Sequence, residues 1–502
     1  MIKYLVASFS LACCLATGSA AKSADFQLLI VLDGFRPDYL SEELTPNLFS
    51  LSEDGVFFEN HHSVYPTVTR VNASSFVTGC YPAKHGLMEN TVYFPKVNPT
   101  GGLSTGSRDN LEKIMASEDG HLLTAKSLGE ILQDNGKTLM AFSSGSSGSC
   151  FLLNHKVSGG AIFHYEYTLP ESLAEEAKNV LGPEPEEGYP NEAVSHRAMT
   201  ALIEFGFKRM KPEVMIIWLT DPDHTAHKFG IGSPMTEKSI SLVDGEIGRL
   251  LKFLDNEGLR DRTNILVSSD HGFSMHAGKV DLVTLLAQHG FKKSKESTDA
   301  VVVGPTIYVE NSNPEKIEGI VSVLQKTPEI GAIFTRAEEL GSPEGWVEGT
   351  LSFDLIHWNH ERSADILVSA DWDDAENEYG YKGRSMNRGV AGHGSSSPWD
   401  IHNTLIANGP AFKKGIRNPV PSGNIDLAPT LLSLAGVEPL DSMDGRVLTE
   451  AMVEGPDPSS VEVDKEEFQV GREVDGTKYW LRLNESAVGE TQYIDKTTTS
   501  RE

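Results

Sequence analysis

At 502 residues the chain is long enough for one large α/β core with an insertion, or for two to three domains. Its 39% hydrophobic and 8% aromatic content suits a globular enzyme rather than a disordered or fibrous chain. With 43 Lys and Arg against 71 Asp and Glu, the net charge is −28. That balance excludes duplex nucleic acid and an anionic membrane surface as main partners, and an anionic substrate would need a local field reversed by metal cations.

The first twenty residues read as an export signal. Lys3 gives a positive start, Tyr4 to Leu15 is apolar but too short to span a bilayer, and Gly18 to Ala21 offers small residues for cleavage. The Cys13–Cys14 pair raises lipid anchoring, which the flanking Ser10-Leu11-Ala12 fits poorly. No later segment is long and apolar enough to cross a membrane, so an exported chain, periplasmic or secreted, is expected. After cleavage only Cys80 and Cys150 remain, either as one disulfide or as two buried thiols.

Leu28 to Leu32 is apolar without alternation and predicts a strand buried on both faces, as in a parallel sheet. Asp33 follows at its carboxyl end, the edge where open α/β sheets bind ligands. Thr45–Gly55 predicts a helix with Leu48, Leu51 and Val56 on one side. Val64–Gly79 predicts an extended entry at Pro66 and a helix ending at Gly79, with Thr69 at the turn as either helix cap or nucleophile. A helix N-terminus favours an alkoxide and an incoming anion. Ala125–Gly136 predicts a helix and Thr138–Ser143 a strand; Ser143–Cys150, SSGSSGSC, reads as plain loop. A helix over Asn191–Lys208 precedes a second buried strand, Val214–Leu219, which ends in Thr220–His227, TDPDHTAH. Thr236–Asn256 is a long amphipathic helix, and a third buried strand, Asn264–Ser268, ends in Asp270-His271-Gly272. Strands alternating with helices predict a doubly wound α/β sheet with helices on both faces.

From Phe273 to Gly389 the pattern changes. Ala300–Glu310, Ile330–Thr335 and Asp365–Ser369 read as strands and Pro314–Gln325 as a helix, a small α+β insert over the sheet edge, acidic around Asp371–Glu378. His357 and His360 have metal-like spacing but read as surface histidines. Val390–Ser397, VAGHGSSS, carries His393 between glycines; Asn403–Ala407 predicts a strand and Asp426–Ala435 a helix. The last fifty residues are acidic and strand-like at Lys478–Leu483. The expected organisation is a signal peptide over 1–20, a catalytic core over 25–272 and 390–448, an inserted cap over 273–389 and a C-terminal tail over 449–502.

Asp33, Asp223, His227, Asp270, His271 and His393 gather at predicted strand ends. Three crowded carboxylates repel unless cations lie between them. Three histidines and three aspartates without thiolates suit zinc ahead of manganese or iron. Asp223 and His227 are four apart, so one helical turn puts both on one face. Two metals about 3.5–4 Å apart would clamp the attacking and leaving oxygens of an in-line displacement.

In order, DGFRPDYL, YPTVTRVN, TGCYPAKHGLMEN, DPDHTAH, SDHGF and GHG resemble the successive motifs of the type I phosphodiesterase and nucleotide pyrophosphatase family, within the alkaline phosphatase superfamily. IDLAPTLLSLAG and MDGR resemble that superfamily's C-terminal end. The resemblance runs from about Phe26 to Leu448 and excludes much of the insert. It implies an alkaline-phosphatase-like core with two zinc ions. One is held by Asp33, Asp270 and His271 and also binds Thr69; the other is held by Asp223, His227 and His393. It implies Thr69 as the nucleophile that becomes phosphothreonine, and Asn90 as the residue that steadies a non-bridging phosphoryl oxygen. Two departures stand out. Arg70 and Val71 replace the family's usual aromatic and proline, and SSGSSGS stands where phosphomonoesterases often carry a lysine or arginine. The second departure disfavours a dianionic monoester, whereas Arg70, as a substrate-binding guanidinium, would restore it. The expected function is zinc-dependent hydrolysis of small-molecule phosphate esters, as a phosphodiesterase or nucleotide pyrophosphatase. A phosphomonoesterase or phosphonate hydrolase on the same site, and a non-catalytic metal- and anion-binding protein, are the alternatives. The oligomeric state is left open.

Overall fold

The computed structural model describes residues 24–502, so the expected export signal and the Cys13–Cys14 pair lie outside the described residues. Strand β1 (Phe26–Leu32) buries all seven of its residues. Its alternate side chains enter two different cores. Leu29 and Val31 pack with Ile216, Trp218 and Leu405 on one face, and Leu28, Ile30 and Leu32 with Ile217, Leu219 and Val267 on the other. A strand covered on both faces has no polar side to present, which explains the unbroken apolar run.

Among the described residues the central sheet has ten strands. After β1 come β2 (Val56–His62), β3 (Leu139–Ser143), β4 (Ala161–His164), β5 (Thr168–Leu169), β6 (Val214–Leu219), β7 (Thr263–Ser268), β8 (His402–Asn408), β9 (Ile416–Asn418) and β10 (Ser422–Gly423). Their spatial order is β9-β2-β8-β7-β1-β6-β3-β4-β5, with β10 also on β2. The centre, β7-β1-β6-β3-β4, is parallel. Strand β8 runs antiparallel to both β7 and β2, and β5 antiparallel to β4, so the sheet is mixed towards its edges. Val31 pairs with Trp218 on one side and Ser268 on the other. The three central strands therefore end level, and the acids that follow them leave from one edge.

Helices cover both faces. Helix α1 (Pro46–Asp54) stops at Gly55, where a Cβ would lie 2.3 Å from the Ala407 carbonyl oxygen; Val56 therefore starts β2 instead of continuing the α1 face. The sheet edge that carries the acids is served by α2 (Thr69–Thr78), α3 (Ser147–Leu153) and α4 (Asp223–Phe229). Helix α5 (Pro234–Asn256), capped by Ser233, buries Ile240, Val243, Ile247, Leu250 and Leu254.

Three local expectations are corrected. Ser147–Leu153 is a helix, because the Ser146 side chain accepts the Ser149 N–H as its N-cap; only 144–146 remain loop. Ala300–Glu310 is a hairpin, Ala300–Val303 and Thr306–Val309, turned at Gly304. His357 and His360 are half-buried packing residues, His357 stacked on Tyr81 at 4.3 Å and His360 bonded to Thr124. The segment after residue 449 ends in a three-stranded antiparallel sheet, Asp464–Val474, Thr477–Val488 and Thr491–Arg501. Tyr479, Leu481 and Leu483 of that sheet alternate inward and share an apolar cluster with Ile333, Phe334 and Leu367 of the insert. Cys80 and Cys150 are free, buried thiols. No helix of the described residues is long and apolar enough to cross a membrane.

Candidate active site

Two three-residue clusters form at the carboxyl edge of the sheet: Asp33 with Asp270 and His271, and Asp223 with His227 and His393. Backbone bonds between neighbouring strands place the acids. The Asp33 N–H donates to Leu219 O at 2.9 Å, and the Asp223 N–H donates to Asp33 O at 3.0 Å. In the first cluster His271 Nε2 lies 3.0 Å from Asp270 Oδ2 and 3.6 Å from Asp33 Oδ1. In the second, His227 Nε2 and His393 Nε2 lie 3.2 and 3.4 Å from Asp223 Oδ1. The rings of His271 and His393 stack at 3.5 Å, so the two clusters adjoin.

Each histidine is held in one orientation by its other nitrogen. Nδ1 of His227, His271 and His393 donates to the carbonyl of Ala391, Gly272 and Thr67, at 3.0, 2.9 and 2.8 Å. A carbonyl can only accept, so Nδ1 carries a proton and Nε2 is the nitrogen turned to the carboxylates. The His393 loop is fixed in turn by Asp400, which accepts from the Ser395 N–H and hydroxyl at 2.9 and 2.6 Å. One oxygen of each acid, Asp33 Oδ1, Asp223 Oδ1 and Asp270 Oδ2, is buried without a hydrogen-bond partner. Burial, then Asp270 and Asp223, push the Asp33 carboxyl well above its ordinary range. Burial would raise Asp223 too, but His227 and His393 outweigh it and hold that carboxyl below its ordinary value. Orphaned carboxylate oxygens facing imidazole Nε2 atoms, which a metal ion can take once they are deprotonated, fit divalent cations, and a donor set of nitrogen and oxygen without sulfur fits zinc.

Thr69 is the first residue of α2, with Val68 as N-cap, and its hydroxyl makes no capping bond. Oγ1 instead lies 3.4 Å from His271 Nε2. Asn90 Oδ1 accepts the Arg70 N–H at 2.9 Å, which leaves its amide NH2 free to donate elsewhere. The Arg70 guanidinium lies in the combined field of Asp33, Asp223, Asp270 and Glu89. Its Nε is buried without a partner, and its terminal nitrogen packs near Gly106. All seven expected metal-site residues and Arg70 are thus gathered at one edge, with Asn90 bonded to Arg70.

Two cavities meet this centre. One, of about 540 Å³, is lined by Asp33, Thr69, Arg70, Asp223 and His227, with the 144–147 turn, Tyr165 and Tyr189 as its outer wall. The other, of about 460 Å³, lies against Val68, Glu89, His393 and Gly394 and is otherwise walled by residues between 276 and 388, with Val280, Leu282, Val302, Ile330 and Val368 giving it an apolar side. Several residues around the centre escaped the sequence reading. Trp218 reads only as core, yet its Nε1–H donates to Asp33 Oδ2 at 2.9 Å. Glu89 Oε1 accepts the Asn90 N–H at 2.8 Å while Oε2 is buried and unpartnered, and burial pushes its carboxyl up to about 7. Ser146 carries a readable N-cap signal, a serine three residues before another serine at a helix start.

The model of the type I phosphodiesterase / nucleotide pyrophosphatase family matches residues 27–396. Among curated proteins, human ectonucleotide pyrophosphatase/phosphodiesterase family member 1 is 28% identical over 254 residues, covering 50% of this chain and 24% of that protein. Venom phosphodiesterase 2 of Crotalus adamanteus is 26% identical over 265 residues, covering 52% of this chain and 28% of that protein. The match thus spans about a quarter of the length of these relatives. Among solved structures, an inactive variant of murine ectonucleotide pyrophosphatase/phosphodiesterase 5 in complex with AMP aligns with a TM-score of 0.57 at 22% identity, over 84% of this chain and 96% of that one. The human protein of the same name aligns with a TM-score of 0.58 at 18% identity, over 86% of this chain and 100% of that one. These likenesses establish the fold, and with the family match over 27–396 the chain belongs to the type I phosphodiesterase / nucleotide pyrophosphatase family.

Proposed function

We propose that this protein is a metal-dependent hydrolase of phosphate esters, a phosphodiesterase or nucleotide pyrophosphatase that uses Thr69 as its nucleophile. The observation that carries the reading is a non-capping hydroxyl at the first position of a helix, 3.4 Å from His271 Nε2 and beside two acid–histidine clusters. Asp33, Asp270, His271 and the Thr69 hydroxyl would hold one zinc ion, and Asp223, His227 and His393 a second; bound there, they supply the positive charge that lowers a hydroxyl pKa and receives an anionic substrate. Thr69 Oγ1 gives up its proton and forms a bond to phosphorus as the bond to the leaving oxygen breaks. Water then cleaves the phosphothreonine and restores the hydroxyl. Asn90 donates its NH2 to a non-bridging oxygen, and the carbonyl partners of the three histidines keep each Nε2 on the site.

A diester carries a substituent on each side of phosphorus, and the two cavities supply room on both sides of the centre. In this reading residues 25–272 and 390–448 carry the chemistry, and the 273–389 insert forms the wall for one ester group. Substrates are small phosphate esters acted on after export. Arg70 favours a second reading, since a guanidinium beside the phosphoryl group would balance a dianionic monoester. The deciding measurement is kcat/KM for nitrophenyl phosphate and for a nitrophenyl diester, in wild type and Arg70→Ala. A diester preference that persists in Arg70→Ala is expected. A wild-type monoester preference that collapses in Arg70→Ala would make the enzyme a phosphatase.

A further inference from the structure

Away from the candidate active site, His62, His402 and Asp495 bring one ligand atom each to within 4.8 Å of one another. His62 ends β2, His402 opens β8 as its direct cross-strand partner, and Asp495 comes from the last strand of the C-terminal sheet. His62 Nδ1 faces the Ser422 carbonyl oxygen at 2.8 Å, so this nitrogen carries the proton. Nε2 then faces Asp495 Oδ1 at 2.9 Å. This is the arrangement of His227, His271 and His393: one nitrogen donating to a backbone carbonyl, the other against an aspartate. A metal-ligating histidine is oriented in this way. The other oxygen of Asp495 accepts the Ser486 hydroxyl at 2.8 Å, a second-layer bond of the kind that fixes a ligating carboxylate.

The neighbouring His61 differs. Its two nitrogens lie 2.9 Å from the Ser422 hydroxyl and 3.0 Å from Asn424 Oδ1, so neither is left for an ion. The ring of His402 packs 4.7 Å from that of His62. Two histidines and one carboxylate, with water in the fourth position, form a zinc set better known from open sites than from closed structural ones.

We propose that His62, His402 and Asp495 form a further metal site, for one zinc ion, that fastens the C-terminal sheet to the central sheet. The competing occupant of the same geometry is a proton, giving a buried imidazolium–carboxylate pair between His62 and Asp495.

The test counts zinc per chain by elemental analysis, after the full chain has been equilibrated with zinc chloride and desalted. Wild type is compared with Asp495→Asn and His402→Asn. Each variant is expected to hold one zinc fewer than wild type, and diester kcat/KM is expected to stay within about twofold, since neither residue belongs to the catalytic clusters. Equal zinc in wild type and both variants would overturn the site and leave the ion pair. The readout is the difference between proteins, so a failure of the active site to hold its metals would lower all three counts alike. Should both variants fail to fold, Ser486→Ala removes only the second-layer bond. It is expected to weaken one zinc equivalent by about 10- to 100-fold, and unchanged affinity of every equivalent would overturn the proposal.

Discussion

A hydroxyl at the first turn of a helix ordinarily satisfies a free backbone N–H, and its removal costs about 1 kcal/mol of stability. Thr69 makes no such bond, and its oxygen is turned to His271 instead. Thr69→Ala should therefore leave the melting temperature nearly unchanged while diester turnover falls by orders of magnitude, and Thr69→Ser should keep measurable activity. A loss below about tenfold, roughly 1.4 kcal/mol of barrier, would show that this hydroxyl is not the nucleophile. The choice between cap and nucleophile was not readable from YPTVTRVN, because it depends on whether Val68 or Thr69 is the N-cap. The acids were readable: Asp33 follows an unbroken apolar run, and Asp270 comes two residues after a short strand with Ile265, Leu266 and Val267 at its centre. Trp218 was not, since a tryptophan inside such a run looks like core until its indole N–H is seen to point at Asp33.

At the scale of elements the C-terminal sheet shows what local pattern leaves out. The alternation at Lys478–Leu483 marks a strand, but its partners lie far away in sequence: Tyr493 Oη donates to Asp426 Oδ2 at 2.8 Å, and His62 meets Asp495. No residue near Tyr493 in sequence signals Asp426. Asp426 is fully buried and also accepts from the Gly423 and Arg446 N–H groups, each at 2.8 Å. Tyr493→Phe keeps the ring stacked on His62 and deletes the hydroxyl that donates to the buried carboxylate and accepts from Arg446 Nε at 3.1 Å, which should cost about 1–3 kcal/mol in urea unfolding. A change below about 0.5 kcal/mol, the scatter of ordinary surface substitutions, would mean that this sheet contributes nothing through Asp426. Helix α3 is the opposite case. Its glycine and serine content suggests loop, yet Gly148 is required there because a Cβ would lie 2.0 Å from the Thr105 carbonyl oxygen.

On the scale of the molecule, a chain of net charge −28 concentrates three unpaired carboxylate oxygens at one edge. Without cations the only relief is a proton. Asp33, His271 and His227 take protons: burial with Asp270 and Asp223 raises the Asp33 carboxyl above its unfolded 3.8, and the neighbouring aspartates outweigh burial to raise His271 and to lift His227 to about 9. A group raised in this way stabilises the metal-free fold at low pH, and that stabilisation is lost as pH rises from the unfolded value through the folded one. Metal affinity runs the other way, since the imidazoles and carboxylates bind only when deprotonated. Each bound ion adds about 2.7 kcal/mol when present at 100 times its dissociation constant. Chelation should therefore abolish diester turnover and lower the melting temperature, and the drop should widen as pH rises from about 5 to about 8. Thermal unfolding with and without chelator across that range, at fixed ionic strength, checks this. A drop that is constant or largest at the acid end would show that the crowded carboxylates are not what the cations relieve.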